Sequence, residues 1–416
     1  METIKVEGMH RLQGEVTIQG SKNAVLPILS ACVLNKGETI LYGCPKISDV
    51  FSMLELLESA GAKVKWEDHV LIMDTSEMKN VPLIEKAGCM RSSVMLLGSF
   101  LARFGKVVLG YPGGCCIGKR PIDLHEQSLS AMGVVFREKP EFLEAFCKNL
   151  EGCDIYLPYP SVGVTENLLL AAAGASGMTR IYGAAREPEI IELCRFLLAM
   201  GIRVYGIGTE KLFVMGGKCK RHVTYKICPD RIVAGTYLLA VAGTGGEVVL
   251  KNAPLEHMRS TMVTLGHLGA VFYRSGNDVK IQMKRKPKAL PYVYTSPYPG
   301  FPTDLQSPLL SVLCRAEGKS CIEENVFENR FLVVEELRKM GANIEVRGKK
   351  AYISGIAKMK GSHLQVKDLR GGAALVLAAL QAEDISVITP MEIILRGYEN
   401  LDGDLEKIGA RIQRIS

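Results

Sequence analysis

At 416 residues the chain is long enough for two or three domains with substantial cores, and 47% apolar against 23% charged residues excludes intrinsic disorder. A net charge of +7 without a dense basic run, and only 6% aromatics, argue against a nucleic-acid platform and fit a cleft for small anions. Apolar stretches such as Ala373 to Leu380 fall far short of the ~20 residues of a membrane span, and Met1 to Gly20 has neither the basic lead nor the apolar block of a secretory signal, so a cytoplasmic protein is expected.

In chain order, TIKVEG near the start reads as a strand. NAVLPILSACVLNKGETILYG then reads as a helix, a turn and a short strand, and LLESAGAKV as a second helix that stops at Gly61 before another strand. The same order returns with SSVMLLGSFLARFGKVVLG and LSAMGVVF, with TENLLLAAAGASGMTRIYG and LLAMGIRV, and with GTYLLAVAGTGGEVVL and LGHLGAVF. SPLLSVLCRAEGKSCI with LRKMGANIEV, and GAALVLAALQAEDISVI with LEKIGARIQ, complete six copies. The helix-ending glycines are Gly61, Gly133, Gly201, Gly269, Gly341 and Gly409, spaced by 72, 68, 68, 72 and 68 residues. Each suits the position after a helix, where positive φ costs glycine nothing.

A unit of helix, strand, helix, strand, strand excludes propellers and immunoglobulin-like arrays, and an α/β fold is predicted. The copies phase from about Ser21, Met90, Ser161, Asp230, Phe301 and Asp368. Three per globule gives one domain at 21–229 and a second at 230–416, which residues 1–20 complete, with hinges near Gly20 and Pro229.

Function is expected where the repeat breaks. Unit two carries about five extra residues, in YPGGCCIGKRP at 111–121, against units one and three. A thiol beside Lys119 and Arg120 has its pKa lowered and becomes a nucleophile or proton donor near neutral pH, unlike a buried one. Spacing does not separate Cys115 from Cys116. An ornamental turn is the competing reading.

The leading helices form a second anomaly. Their starts carry Lys22 with Asn23, Arg91, Asp230 with Arg231, Asp304, and Arg370. Cations are locally unfavourable at the positive end of a helix, and their recurrence at one phase points to an anion-binding cleft. Arg396 lies between strand and second helix in unit six, in the segment that holds Arg120 in unit two. Asp304, an acid among cations, is a candidate base for a substrate hydroxyl, with an N-cap as its bland alternative. His125, five residues past Arg120, reads as a supporting residue rather than a catalytic one. The 12 cysteines and seven histidines show no metal-ligand spacing, so no metal is expected, and most cysteines read as reduced, buried small hydrophobes. Gly206-x-Gly208 and Gly245-Gly246 lack the spacing of a dinucleotide fingerprint, and no P-loop is present.

GSKNAVLP, PGGCxIGxRPxDLH at 112–125, AAREPEI at 184–190, GFPTD at 300–304, ENRF at 328–331, DLRGGAALVLAAL at 368–380 and RGYEN at 396–400 resemble, over the whole chain, the enolpyruvyl transferase family. The cysteine loop, its most specific element, points to the branch that acts on UDP-N-acetylglucosamine at the opening of peptidoglycan synthesis. The shikimate-pathway branch shares the repeats and the opening GSK but is not expected to carry this loop. The resemblance implies a two-domain inside-out α/β barrel of six βαβαββ repeats, with helices inside, sheets outside and a cleft that closes on substrate. It also implies enolpyruvyl transfer from phosphoenolpyruvate to the sugar 3-hydroxyl by addition and elimination, with no cofactor, no metal, no nucleic acid and no membrane partner.

By the same resemblance Cys115 is the proton donor, able to form a covalent adduct with phosphoenolpyruvate and to be alkylated by fosfomycin. Lys22, Arg120 and Arg396 hold phosphoenolpyruvate, Asn23 marks the sugar-side boundary, and Arg91 and Arg370 complete the cationic cleft. Asp304 stands beside the 3-hydroxyl. The nucleotide lies along Arg120, Pro121, Ile122, Asp123 and Leu124 and along Ser161, Val162 and Gly163, with Val326 near the sugar. Cys116 departs from the pattern, where Thr or a small residue is usual, and Pro158 to Pro160 lack the cation that some members carry. A shikimate-branch enzyme and a non-catalytic anion or nucleotide sensor are the alternatives, the latter disfavoured by the presence of both Cys115 and Asp304.

Overall fold

The computed structural model describes residues 2–85, 87–111, 113 and 122–415, with Cys89 by its backbone alone. Among these are twelve α-helices, two per repeat. They are α1 (Lys22–Cys32), α2 (Ser48–Ser59), α3 (Leu96–Phe104), α4 (Asp123–Ser130), α5 (Val162–Gly174) and α6 (Pro188–Ala199) in the first three repeats. The last three hold α7 (Arg231–Thr244), α8 (Arg259–Leu268), α9 (Gln306–Leu313), α10 (Val334–Lys339), α11 (Leu369–Ala379) and α12 (Leu401–Lys407). All six repeat glycines have positive φ, from +90° at Gly133 to +108° at Gly269. A side chain there would cost about 1–2 kcal/mol at each.

Among the described residues six separate open sheets follow one plan. Glu38–Tyr42 runs parallel to His222–Lys226 on one side and antiparallel to Val70–Asp74 on the other, and Lys63–Glu67 forms the far edge. Five sheets have four strands; the sixth has three, with a Leu83–Leu109 parallel bridge where the fourth would lie. The chain start supplies what two late repeats lack. Thr3–Glu7 pairs antiparallel with both Ile385–Thr389 and Arg411–Ile415, and Leu12–Thr17 runs parallel to Gly246–Lys251. Two compact units result, a C-terminal unit of residues 2–19 and 229–415 and an N-terminal unit of the described residues between 20 and 228.

Each unit has its own apolar core. The leading helices are mostly apolar and buried all round, Val164 to Ala173 in α5 and Ile232 to Ala242 in α7 without a break, with Thr165, Glu166 and Asn167 as buried polar groups in α5. The strands alternate, as in Val70–Asp74, with one face on the core and one toward water. Gly98 lets α3 and α5 touch, since a Cβ there would sit 2.3 Å from the Asn167 carbonyl. Among the described residues no helix is long and apolar enough to cross a membrane.

Candidate active site

In the C-terminal unit the functional side chains gather where α9 and α11 begin. Asp304 lies in the single 3-10 turn Thr303–Leu305 ahead of α9, and no side chain caps that turn or α9. Its carboxylate instead accepts from two guanidiniums, Oδ1 from Arg330 Nη2 and Oδ2 from Arg370 Nη2 at 3.0 Å. Arg370 is in the first turn of α11, whose N-cap Asp368 takes the Arg370 and Gly371 N–H groups at 3.1 and 2.9 Å. Arg330 also stands 3.8 Å from Asp368 and donates from Nε to Thr303 Oγ1 at 3.3 Å. Thr303 donates to Glu324, which accepts the Val326 and Phe327 N–H groups.

Both arginine side chains are 4% exposed and Asp304 is 22% exposed, so the carboxylate is the open edge of a sunken charge network. Burial opposes the Arg370 charge, but Asp304, with Tyr398 and Asp230, outweighs it and holds the guanidinium above its ordinary pKa. Its Nη1 makes no hydrogen bond among the described residues. The group stands over the Tyr398 ring at 5.6 Å. Arg396 ends the turn Met391–Arg396 and is half-buried, and Val326 is exposed. Asp230 is the N-cap of α7, where it accepts from Ile232 and Val233.

In the N-terminal unit Lys22 opens α1, and Ser21 Oγ accepts the Ala24 N–H at 3.3 Å. A lysine at a helix start opposes the dipole. Here its Nζ meets Asp49 Oδ2 at 2.6 Å, the two side chains 12% and 9% exposed. Asp49 sits in the first turn of α2, a favourable place for an acid. Asn23 follows Lys22 and is half-buried. Arg91 opens the turn Arg91–Met95, and Ile122, Asp123 and Leu124 form the entry to α4. Ser161 caps α5, whose first residues are Val162 and Gly163. His125 is buried against α5, and burial, then Arg91, pushes its pKa down to about 4. Cys115, Cys116, Lys119, Arg120 and Pro121 lie outside the described residues.

Arg330 and Asp49 escape a sequence reading. ENRF marks the neighbourhood of Arg330, but that arginine sits off the repeat phase, while Asp49 resembles any helix-start acid. Among the described residues no group of three His, Cys, Asp or Glu is placed to hold a metal ion.

The profile of the EPSP synthase (3-phosphoshikimate 1-carboxyvinyltransferase) family matches residues 6–405. UDP-N-acetylglucosamine 1-carboxyvinyltransferase 2 of Caldanaerobacter subterraneus subsp. tengcongensis is 45% identical over 417 residues, covering 100% of both chains. UDP-N-acetylglucosamine 1-carboxyvinyltransferase 1 of Carboxydothermus hydrogenoformans is 42% identical, covering 100% of this chain and 99% of its own. The crystal structure of the enolpyruvyl transferase NikO from Streptomyces tendae shares the fold, at TM-score 0.90 and 22% identity over 99% of this chain and 98% of that one.

Proposed function

This chain belongs to the EPSP synthase family and, within it, to the UDP-N-acetylglucosamine 1-carboxyvinyltransferases, and on that premise we propose that it transfers the enolpyruvyl group of phosphoenolpyruvate to the 3-hydroxyl of UDP-N-acetylglucosamine at the first committed step of peptidoglycan synthesis. The observation that carries the reading is the Asp304 carboxylate, open to water and oriented by Arg330 and Arg370. The same reading makes this a cytoplasmic enzyme, since both substrates are cytoplasmic metabolites.

The reaction needs a proton on C3 of phosphoenolpyruvate, a hydroxyl stripped of its proton, and charge compensation for carboxylate and phosphate. Cys115 gives the proton, which makes C2 electrophilic. Asp304 takes the proton of the 3-hydroxyl as its oxygen bonds to C2, and a tetrahedral phospholactoyl ketal forms. Loss of a proton from the new methyl and of inorganic phosphate from C2 leaves the enolpyruvyl ether. Lys22, Arg120 and Arg396 hold phosphoenolpyruvate, and Asp49 keeps Lys22 in place. Preorganised cations are the main catalytic resource for so anionic a reaction. Asn23, Arg91, Ile122 to Leu124, Ser161 to Gly163 and Val326 bind the nucleotide sugar.

Running the reaction in D2O tests the mechanism. Protonation makes a methyl that rotates before one hydrogen leaves, so the product should carry deuterium at C3. Product free of deuterium would overturn addition and elimination.

A further inference from the structure

Asn167, buried on α5, fixes the state of the His125 ring. The Gly98 N–H donates to Asn167 Oδ1 at 2.8 Å, and Asn167 Nδ2 donates to the Val94 carbonyl at 2.9 Å. A backbone N–H needs an oxygen and a carbonyl needs an N–H, so the amide has one orientation. Its second Nδ2 proton meets His125 Nδ1 at 3.0 Å, and that nitrogen therefore accepts. The single ring proton sits on Nε2, because a proton on Nδ1 would set donor against donor. The ring is 6% exposed and stays neutral well below pH 7, since burial and then Arg91 lower its pKa while Asp123 only partly opposes them.

The Nε2 edge faces the first turn of α5. A Cβ added to Gly163 would lie 3.5 Å from Nε2 and 3.4 Å from Cε1, so a side chain there would cover the ring nitrogen. Nε2 makes no hydrogen bond with the described residues. Ser161 satisfies Val164 and Thr165, which leaves the N–H groups of Val162 and Gly163, and no turn of their own helix can pair them. Three donors without an acceptor among the described residues thus meet at the positive end of a 13-residue helix.

We propose that His125, as its Nε2–H tautomer, is a substrate-binding residue that donates a hydrogen bond to an acceptor oxygen on the nucleotide half of the nucleotide sugar, and that Asn167 is the positioning residue that fixes this tautomer. The inference rests on the function proposed above. A neutral donor suits so buried a place, where a cation would carry a larger desolvation cost.

Ring 15N spectra of the full-length protein, free and titrated with UDP, test it. Wild type should show one His125 tautomer with its proton on Nε2, and UDP should shift that N–H. A proton on Nδ1, a tautomer mixture, or an Nε2 signal unmoved by saturating UDP overturns it. Asn167→Ala should mix the tautomers, and an unmixed signature in that variant overturns the role of Asn167. Calorimetry adds a second arm. His125→Phe should bind UDP about 10- to 100-fold more weakly, as for a lost hydrogen bond to a charged group, and should raise the KM for the nucleotide sugar with little change in kcat. His125→Gln, whose amide N–H reaches the Nε2 position, should stay within about three-fold. Weakening of UDP and UMP but not uridine assigns the acceptor to phosphate, and equal weakening of uridine assigns it to the base. Folded His125→Phe with wild-type UDP affinity overturns the inference alone, whereas wild type that binds no UDP overturns the function beneath it. If His125→Phe does not fold, the wild-type spectra decide.

Discussion

Replacing Asp304 with alanine should damage turnover and stability together, by separable amounts. The two guanidiniums it joins are 4% exposed, and removing their shared counter-ion leaves both buried with less compensation. Breaking a buried pair costs about 3–5 kcal/mol. Because Asp304 is itself 22% exposed and Arg330 keeps Asp368 at 3.8 Å, the lower end applies. At about 2–4 °C per kcal/mol for a unit of this size, melting of the C-terminal unit should fall by roughly 6–12 °C. Loss of a general base lowers turnover by about 10²–10⁴-fold, or roughly 3–5.5 kcal/mol on the barrier. Phosphate release at 25 °C, far below the melt, reads the chemical effect, and scanning calorimetry reads the structural one. Adding Arg330→Met should cost less than the sum of the single changes, because the pair is one unit. Turnover within a few-fold of wild type would refute Asp304 as the base, and an unchanged melt would refute it as the counter-ion.

Asp49→Asn should cut kcat/KM for phosphoenolpyruvate about ten-fold or more by releasing Lys22, checked by steady-state kinetics; an unchanged value would detach Asp49 from catalysis. Glu166 is wholly buried in α5, and burial, then Glu189 and Glu187, raise its pKa well above the ordinary carboxylate range. Between its ordinary and raised values the fold keeps a proton that the unfolded chain releases. This group therefore makes stability fall as pH rises across that window, by up to about 1.4 kcal/mol per pH unit. Glu166→Gln removes the slope, so the melting temperature of the variant relative to wild type should rise as pH rises above the ordinary carboxylate range; a constant or falling difference contradicts this. Fosfomycin should alkylate Cys115 and spare Cys116, since its phosphonate docks on cations that raise the thiolate fraction of the thiol facing them; peptide mass mapping that finds label on Cys116 reverses the assignment.

The parts of the fold that are legible in the sequence are those with local causes. Gly61 and its five counterparts end helices because only glycine adopts their φ cheaply, and that signal survives without any tertiary knowledge. The leftover TIKVEG strand points to a partner elsewhere for the same reason of counting, and its pairing with Ile385–Thr389 is a matter of register that only the folded chain shows. Site geometry is another matter. Asp304 meets Arg330 26 positions later and Arg370 66 positions later, and Lys22 meets Asp49 across two helix starts. Such pairs depend on how repeats stack, so the sequence offers Asp304 as a base with an N-cap as the bland alternative, and the structure shows its carboxylate held by the arginines rather than capping a helix. Asp230, grouped with the helix-start anomalies, is the N-cap of α7 and accepts the Ile232 and Val233 N–H groups.

Acceptor choice tests the central claim most directly. Purified protein with phosphoenolpyruvate is given UDP-N-acetylglucosamine, shikimate 3-phosphate or neither, and phosphate release is followed with the enolpyruvyl product weighed by mass spectrometry. We expect one phosphate per enolpyruvyl ether with UDP-N-acetylglucosamine and none with the other two. Phosphate release with shikimate 3-phosphate would assign the chain to the other branch, and no release with either acceptor would contradict catalysis by Asp304 and the cysteine loop altogether.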